Sequence, residues 1–350
     1  FVLAMVLSGY FRGTRARWGI VLLGILLVGD LIHANSPWVV YYDYKAKYAT
    51  NPVIDVLRAK PWENRVSAPQ FLSSPQAPYF PAICNEWLQQ HFQYYRIQSL
   101  DVSQMPREPV DHKEYMALFN EASRMPRLWE LTNTRYLLGM SGFADVLNEQ
   151  LDPVKKRFRV HTAFEFTQSA DGAIGVVVKS DGKFAIIEFT GALPRTKLYS
   201  NWQVSTNDEA ALAMLVKPEF DPAQTVLVGD EVPAPDASAQ AGRDAGTVEI
   251  TNYKSTRVVI SAEADSSGVL LLNDRYDANW TVSVDGQQEK VLRCNYLMKG
   301  VYLKPGPHTV VFQFDPPVKA LYVSIAGLCS GLLICGFLLA FPRSSSSANQ

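Results

Sequence analysis

Five side chains in the last third of the sequence have the types that a carbohydrate site uses: Asp274, Tyr276, Trp280, Arg293 and Asn295. Aromatic faces pack on sugar rings, while a carboxylate, a guanidinium and an amide exchange hydrogen bonds with hydroxyls. They are candidate carbohydrate-binding residues if the fold gathers them at one end of a β module. A structural reading fits their local pattern better. Trp280 alternates with Val282 and Val284 as inner-face filler, and Asp274 and Asn295 suit turns that bond their own backbone.

Other chemistry is sparse. His33, His91, His112, His161 and His308 are far apart, and no HExxH, CxxC or EF-hand spacing occurs, so no metal and no cofactor is expected. Residues 139–143, GMSGF, imitate a nucleophile elbow without its last glycine. There is no P-loop and no dinucleotide fingerprint, and no catalytic residue is assigned. A net charge of −1 over 350 residues, with no Lys/Arg-rich run, speaks against a nucleic-acid partner. Cys329 and Cys335 sit in an apolar stretch as filler. Cys84 and Cys294 fall in a region read below as exported, where a disulfide between them can form. Asn279-Trp280-Thr281 matches a glycosylation triplet, but Trp280 reads as core.

These residues need elements to position them. Residues 268–317 read as five short strands in succession, with Trp280, Val282 and Val284 alternating against Thr281, Ser283 and Asp285. Asp285-Gly286 suits a type I′ hairpin turn, with the return strand through Val291 and Leu292. Pro305-Gly306 punctuates a second expected hairpin, between Val301/Leu303 and Val310/Phe312/Phe314. With TVEITNY and TRVVISAEA before it, this stretch is expected to be an antiparallel β-sandwich.

Directly after it, residues 320–342 carry no charge, long enough for the roughly 20 residues that a spanning helix needs. Residues 18–34, WGIVLLGILLVGDLIHA, are a second candidate span, with Asp30 near its far end. Arg12, Arg15 and Arg17 precede it without an acid, which places residues 8–17 inside by the positive-inside rule and residues 35–318 outside. A signal peptide is the rival reading; an apolar run ahead of the arginines and the poor Ile32-His33-Ala34 cleavage site argue against it. Because the chain begins at Phe1, it reads as a fragment whose first residues end a truncated helix.

The region between the spans is mixed. Trp38, Tyr41, Tyr42, Tyr44 and Tyr48 suit a membrane-interface belt, or more sharply a sugar-stacking platform. Asn51-Pro52 opens a short helix. Ile83, Trp87, Leu88 and Phe92 share one helical face, as do Tyr115, Leu118, Phe119 and Ala122 behind an Asp111/Glu114 pair resembling a capping box. Residues 128–139 run from a helix into a buried strand, and Asn207 caps a later helix. Residues 229–246, rich in Pro, Ala, Asp and Gly, read as a linker.

The order Asn273-Asp274, Tyr276, Asn279-Trp280, Val284-Asp285-Gly286, Arg293, Asn295-Tyr296, Gly300-Val301, Pro305-Gly306, His308-Thr309-Val310, Pro316-Pro317 and then a spanning helix resembles the C-terminal end of the bacterial YfhO-type membrane proteins. Pro307 between the glycine and the histidine is a departure. The Asn133–Tyr136 phrase and Leu193-Pro194-Arg195 resemble the same family. The resemblance implies a multi-spanning protein similar to GT-C glycosyltransferases that take sugars from polyprenyl-phosphate carriers, in the bacterial cytoplasmic membrane. The catalytic acid of such enzymes lies in an early outer loop, so this chain would be a non-catalytic part supporting sugar transfer to envelope glycans or lipids. Its partners would be the bilayer, a polyprenyl-phosphate-linked sugar, a glycan acceptor and the missing N-terminal membrane domain. The alternative is a membrane-anchored structural or carbohydrate-binding module without activity.

The expected organisation is α+β with a C-terminal β-sandwich between membrane helices. Residues 1–17 form a helix end and cytoplasmic loop, and residues 18–34 a span. Residues 35–160 are an α+β subdomain and 161–228 a β-rich one. A linker at 229–246 leads to the sandwich at 247–318, a span at 320–342 and a cytoplasmic tail at 343–350.

Overall fold

The computed structural model describes residues 4–5, 8–41, 43–69, 82–101, 107–168, 174–235 and 245–340. The centre of the expected linker (236–244), the tail (343–350), the Asp171-Gly172 turn, most of residues 1–7 and the Pro-rich run at 70–81 lie outside these. The chain divides into two compact units, residues 1–50 and 51–350.

In the first unit the helix Ala16–Asn35 is apolar on all sides and almost entirely exposed. A helix without a polar face suits hydrocarbon better than water. Trp38 and Tyr41 beyond it are exposed, and Asp43 caps the short helix Tyr44–Lys47 by accepting from Lys45 N (2.8 Å) and Ala46 N (3.2 Å).

The second unit contains three sheets. The first is built from β1 (Arg65–Ser67), β2 (Gln98–Ser99), β3 (Thr134–Met140), β4 (Phe158–Gln168), β5 (Ile174–Val178) and β6 (Phe184–Phe189) in the order β2-β1-β3-β6-β4-β5. Its β1 neighbours are parallel and the rest antiparallel. Both faces are covered: Leu138 and Ile186 pack with the helices carrying Ile54, Trp87 and Phe92, while Leu137 and Ile187 pack with Trp129 and Leu147. Burial on both faces explains why β6 reads as a continuous apolar run rather than an alternation.

The remaining strands are β7 (Thr196–Tyr199), β8 (Trp202–Val204), β9 (Val226–Val228), β10 (Gly246–Lys254), β11 (Arg257–Ala264), β12 (Gly268–Arg275), β13 (Trp280–Val284), β14 (Gln287–Glu289), β15 (Leu292–Cys294), β16 (Met298–Leu303) and β17 (Gly306–Phe314). They form a six-stranded sheet, β7-β12-β16-β15-β9-β8, and a five-stranded sheet, β10-β11-β17-β13-β14. One core joins the two, with Leu198, Leu270, Leu272, Val301 and Leu303 from the first and Val258, Ile260, Val282, Val310 and Phe312 from the second. The opposite face of the six-stranded sheet is covered by helices contributing Tyr115, Leu128, Leu131 and Leu215.

The fold class is α+β, and the strands at 268–317 are present, but they are not a single meander. Asp285 (φ 52°) and Gly286 (φ 82°) make the expected turn, but the return strand is β14, Gln287–Glu289, whereas Leu292 lies on β15 of the other sheet. Pro305-Gly306 does not close a hairpin, because β16 pairs with β12 and β15 whereas β17 pairs with β11 and β13. Gly306, at φ 124°, instead turns the chain from one sheet to the other. The six-stranded sheet also draws strands from both sides of residues 229–246.

Local helix signals fare unevenly. Asn51 accepts from Val53 N and Ile54 N, both at 3.0 Å, ahead of the helix Pro52–Arg58. Asn207 accepts from Ala210 N ahead of Asp208–Leu215. The expected Asp111/Glu114 box does not form: Val110–Ala117 starts two residues earlier than a cap at Asp111 would set it, behind Pro109, and Glu114 instead accepts from the Tyr296 hydroxyl (2.5 Å). The stretch with Ile83 and Trp87 is helical over Ala82–His91 but wound as a π-helix. The last helix, Lys319–Ala340, is long and apolar enough to cross a membrane, as is the segment Ala16–Trp38.

Candidate functional site

Where the three sheets meet, the fold encloses a cluster of charge. Its frame is a helix end. The helix Met125–Leu131 stops at Asn133, whose φ of 57° is the left-handed geometry that asparagine tolerates, leaving the last carbonyls without helical partners. Arg65, at the start of β1, donates from Nη1 to Thr132 O (2.6 Å) and to Asn273 Oδ1 (2.8 Å), and from Nη2 to Asn273 O (2.7 Å). Asn273 donates to Leu131 O (2.6 Å). One arginine and one asparagine thus tie the first sheet to the end of β12.

The next residue, Asp274, is the hub. Arg195 Nη2, just before β7, donates to Asp274, to Gln98 and to Tyr253 Oη; Tyr253, on β10, donates its hydroxyl to the Asp274 carboxylate (3.1 Å to Oδ2). Arg65 Nη2 stands 3.6 Å from Asp274, and Lys299 Nζ, on β16, 3.9 Å. Lys299 also sits 3.3 Å from the centre of the Trp280 ring. The side chains of Lys299 and Arg195 are 1% and 3% exposed.

Three cations therefore face one carboxylate. Burial acts to raise Asp274, but Arg195, Lys299 and Arg65 outweigh it and hold the carboxyl below its ordinary value. Burial, with Arg195 and Arg65 adding to it against the pull of Asp274, brings Lys299 down to about 8. Burial and Arg195 also pull Arg65 downward, although a guanidinium stays charged across the physiological range. Arg195 Nε and Nη1 and Lys299 Nζ have no hydrogen-bond partner among the described residues.

Two cavities flank the cluster. One, of about 460 Å³, is lined by Lys60, Trp62, Glu63, Arg195, Glu249 and Ile250 among others. The other, of about 550 Å³, is lined by Trp62, Arg96, Gln98, Tyr253 and neighbours. Trp62 lines both and stacks on Tyr253, with ring centres 6.3 Å apart and planes 9° from parallel.

The five residues expected from sequence separate into two places. Asp274 and Trp280 belong to the cluster, joined through Lys299. Trp280 is half-buried against the shared core rather than fully enclosed, and its ring packs on Phe314 at 5.3 Å. Arg293 instead covers the Tyr296 ring at 4.2 Å and pairs with Asp208 (2.9 Å). Asn295, at φ 44°, exchanges backbone and side-chain bonds with Leu227 (2.9 and 3.0 Å) and so seals the edge beside β9. Tyr276 is half-buried, and its N–H reaches Leu297 O (2.8 Å). Cys294 is a free, buried thiol in the core with Tyr115 and Leu292, and the Cys84 side chain lies outside the described residues.

Sequence reasoning did not assemble Arg65, Gln98, Arg195, Tyr253 and Lys299 into a site. The usable signals were Leu193-Pro194-Arg195 and Asn273-Asp274, two phrases carrying the family resemblance. Nothing in a single sequence pairs Arg65 with Asn273, 208 positions away.

No curated protein and no solved structure matches the chain. A family model does, over residues 237–326, which spans β10 to β17 and the start of the last apolar helix and includes Asn273, Asp274, Trp280 and Lys299. Over these residues, about a quarter of its length, the chain is similar to the family described as bacterial membrane protein YfhO.

Proposed function

We propose that this chain is the extracytoplasmic, non-catalytic part of a multi-spanning glycosyltransferase-like protein of the bacterial cytoplasmic membrane, and that it helps hold the glycan or lipid receiving a sugar. The match to a membrane-protein family, running directly into an apolar helix long enough to span, is the observation that carries this reading. The occupied state of the enclosed carboxylates supports a supporting rather than a catalytic role. Asp101 accepts from Ala68 N (2.6 Å), Asp152 pairs with Arg157 (2.8 Å), Glu188 with Arg135 and Arg159 (2.7 and 2.6 Å), and Asp274 with Arg195. A general acid or base needs a proton that it can exchange with substrate.

Sidedness and transfer test the proposal together. Reporter fusions at Gln240 and Ser345 are expected on opposite faces of the membrane, with Gln240 outside; the same face for both would overturn the topology. Membranes carrying this chain alone are expected to transfer no sugar from a polyprenyl-phosphate donor, and transfer by the chain alone would overturn the non-catalytic assignment. The Trp62–Tyr253 stack between two cavities also favours a second reading, a membrane-anchored carbohydrate-binding module without an attached enzyme. In that case glycan binding persists where no transferase domain precedes the chain. We further propose that the two packed sheets at 247–318 make up a β-sandwich extended by strands from 196–228.

A further inference from the structure

The charge at the sheet junction does not balance. Arg65, Arg195 and Lys299 share the single carboxylate of Asp274, and no other acid lies within ion-pair distance of them among the described residues. An enclosed charge without a counter-charge is costly to a fold, and a site kept in that state is suited to an anion from outside. Arg195 connects the excess to a cavity. It is 3% exposed, it lines the 460 Å³ space, and its Nε and Nη1 have no acceptor. The wall of that space is Trp62, braced from behind by Tyr253. Its two acids are placed differently: Glu63 is already paired with Lys60 at 2.8 Å, while Glu249 is exposed.

We propose that this cavity binds an acidic sugar, with a ligand carboxylate or phosphate accepting from Arg195 and the sugar ring packing on Trp62. The proposal names the ligand class for the carbohydrate-holding role above and rests on that reading. An oxyanion completes the charge of the cluster and takes the donors that Arg195 leaves unused. An indole face suits a sugar ring, and Glu249 at the cavity wall is an acceptor for hydroxyls. That same carboxylate disfavours a bare, multiply charged ion, so the site selects an oxyanion carried on a hydroxylated ring.

The test is calorimetric titration of the full chain in detergent micelles with glucuronate, glucose 1-phosphate, glucose and inorganic phosphate. At least one acidic sugar is expected to bind about tenfold or more tightly than glucose, the effect of one charge-assisted hydrogen bond. Whether glucuronate or glucose 1-phosphate leads tells a carboxylate ligand from a phosphate ligand. Arg195→Gln is expected to abolish the preference for the acidic sugar. If that variant does not fold, Trp62→Phe decides: the ligand-induced change in tryptophan emission must disappear with this one indole. Equal binding of glucose and glucuronate would overturn the acidic site while leaving a carbohydrate-holding role intact. Inorganic phosphate binding as tightly as glucose 1-phosphate would overturn the sugar contact and the carbohydrate reading with it. No saturable binding of either acidic sugar, or a folded Arg195→Gln protein that still prefers one, would also overturn the proposal.

Discussion

The ammonium group of Lys299 lies 3.3 Å from the centre of the Trp280 ring, with no hydrogen-bond acceptor of its own. A lysine enclosed between an indole and the edge of a carboxylate is held by the ring's electron density and by Asp274 at 3.9 Å, against two neighbouring guanidinium groups. Replacing it with Met keeps the aliphatic stem and removes one of three crowded cations. Lys299→Met is therefore expected to be at least as stable as the parent at pH 7, by about 1 kcal/mol, since an apolar isostere often outperforms an enclosed ion. The pH dependence follows from the folded value of about 8, below the roughly 10.4 of an unfolded lysine. Between those values the unfolded chain binds more protons, so this lysine makes the parent more stable as pH rises from 8 to 10. Urea midpoints at pH 7 and pH 10 should show the gap between variant and parent closing. A gap independent of pH would mean that Lys299 does not titrate in this window.

Trp280→Ala removes the ring from both Lys299 and Phe314. Because the indole is half-buried, a loss of about 3 kcal/mol is expected, at the low end for truncating an aromatic core residue. Thermal or chemical denaturation of the full chain in micelles measures it. A loss below about 1 kcal/mol would mean that the ring serves a ligand rather than the core.

Much of this architecture was legible from local pattern. The Asp-Gly turn at 285–286, the Asn51 and Asn207 caps, the strand after Asn133 and the two apolar helices follow from side-chain types within a few residues of one another. What was not legible is long-range. β16 and β17 look like the arms of one hairpin around Pro305-Gly306, yet they enter different sheets, because what decides between hairpin and crossover is the availability of β11 and β12 as partners. The charged cluster was hidden for the same reason, with members on β1, β2, β10, β12, β13 and β16 and in the segment before β7. Only Asp274 and Trp280 were singled out, through residue type and an alternation that also fits a core.

Gly300 marks a close approach in β16, which is paired on both sides. A Cβ there would stand 2.6 Å from Leu270 O and 2.7 Å from Cys294 Sγ. The first neighbour is backbone of the paired β12 and cannot move without breaking the ladder. Gly300→Ala is expected to cost about 1–3 kcal/mol, as overpacking does. Equal denaturation midpoints for the two proteins would show that the β12–β16 spacing can relax.

The Cys294 thiol is enclosed, and burial, with a smaller contribution from Asp230, pushes its ionisation far upward. Thiolate is the reactive form, so Cys294 is expected to resist alkylating reagents in the folded protein and to react fully in denaturant. Mass spectrometry of labelled, non-reduced protein reads this directly. Labelling that requires a reductant as well as denaturant would reveal the Cys84–Cys294 bridge.

His308 and Asp285 provide the sharpest titration. Both ring nitrogens of His308 face acceptors, Nδ1 to Asp285 Oδ2 at 2.7 Å and Nε2 to the Lys304 carbonyl at 2.8 Å. Only the imidazolium has two N–H donors, so this geometry favours the protonated ring. Partial burial works against the charge, but the hydrogen bonds to Asp285 and to Lys304 prevail and raise His308 above 6.5. On the other side, the Thr309 N–H (2.8 Å) and His308 hold Asp285 below its usual value. The sign for His308 is that of a raised folded value: its contribution to stability is fully present below about 6.5 and is lost as pH rises through the folded value. Asp285→Asn keeps an acceptor for Thr309 but removes the charge, and it should bring the His308 titration, followed by the imidazole proton signals in NMR, back toward 6.5. The same variant should flatten the loss of stability that the parent shows above that pH. An unchanged His308 titration in Asp285→Asn would assign the upward shift to the Lys304 carbonyl alone, against the geometry of the pair.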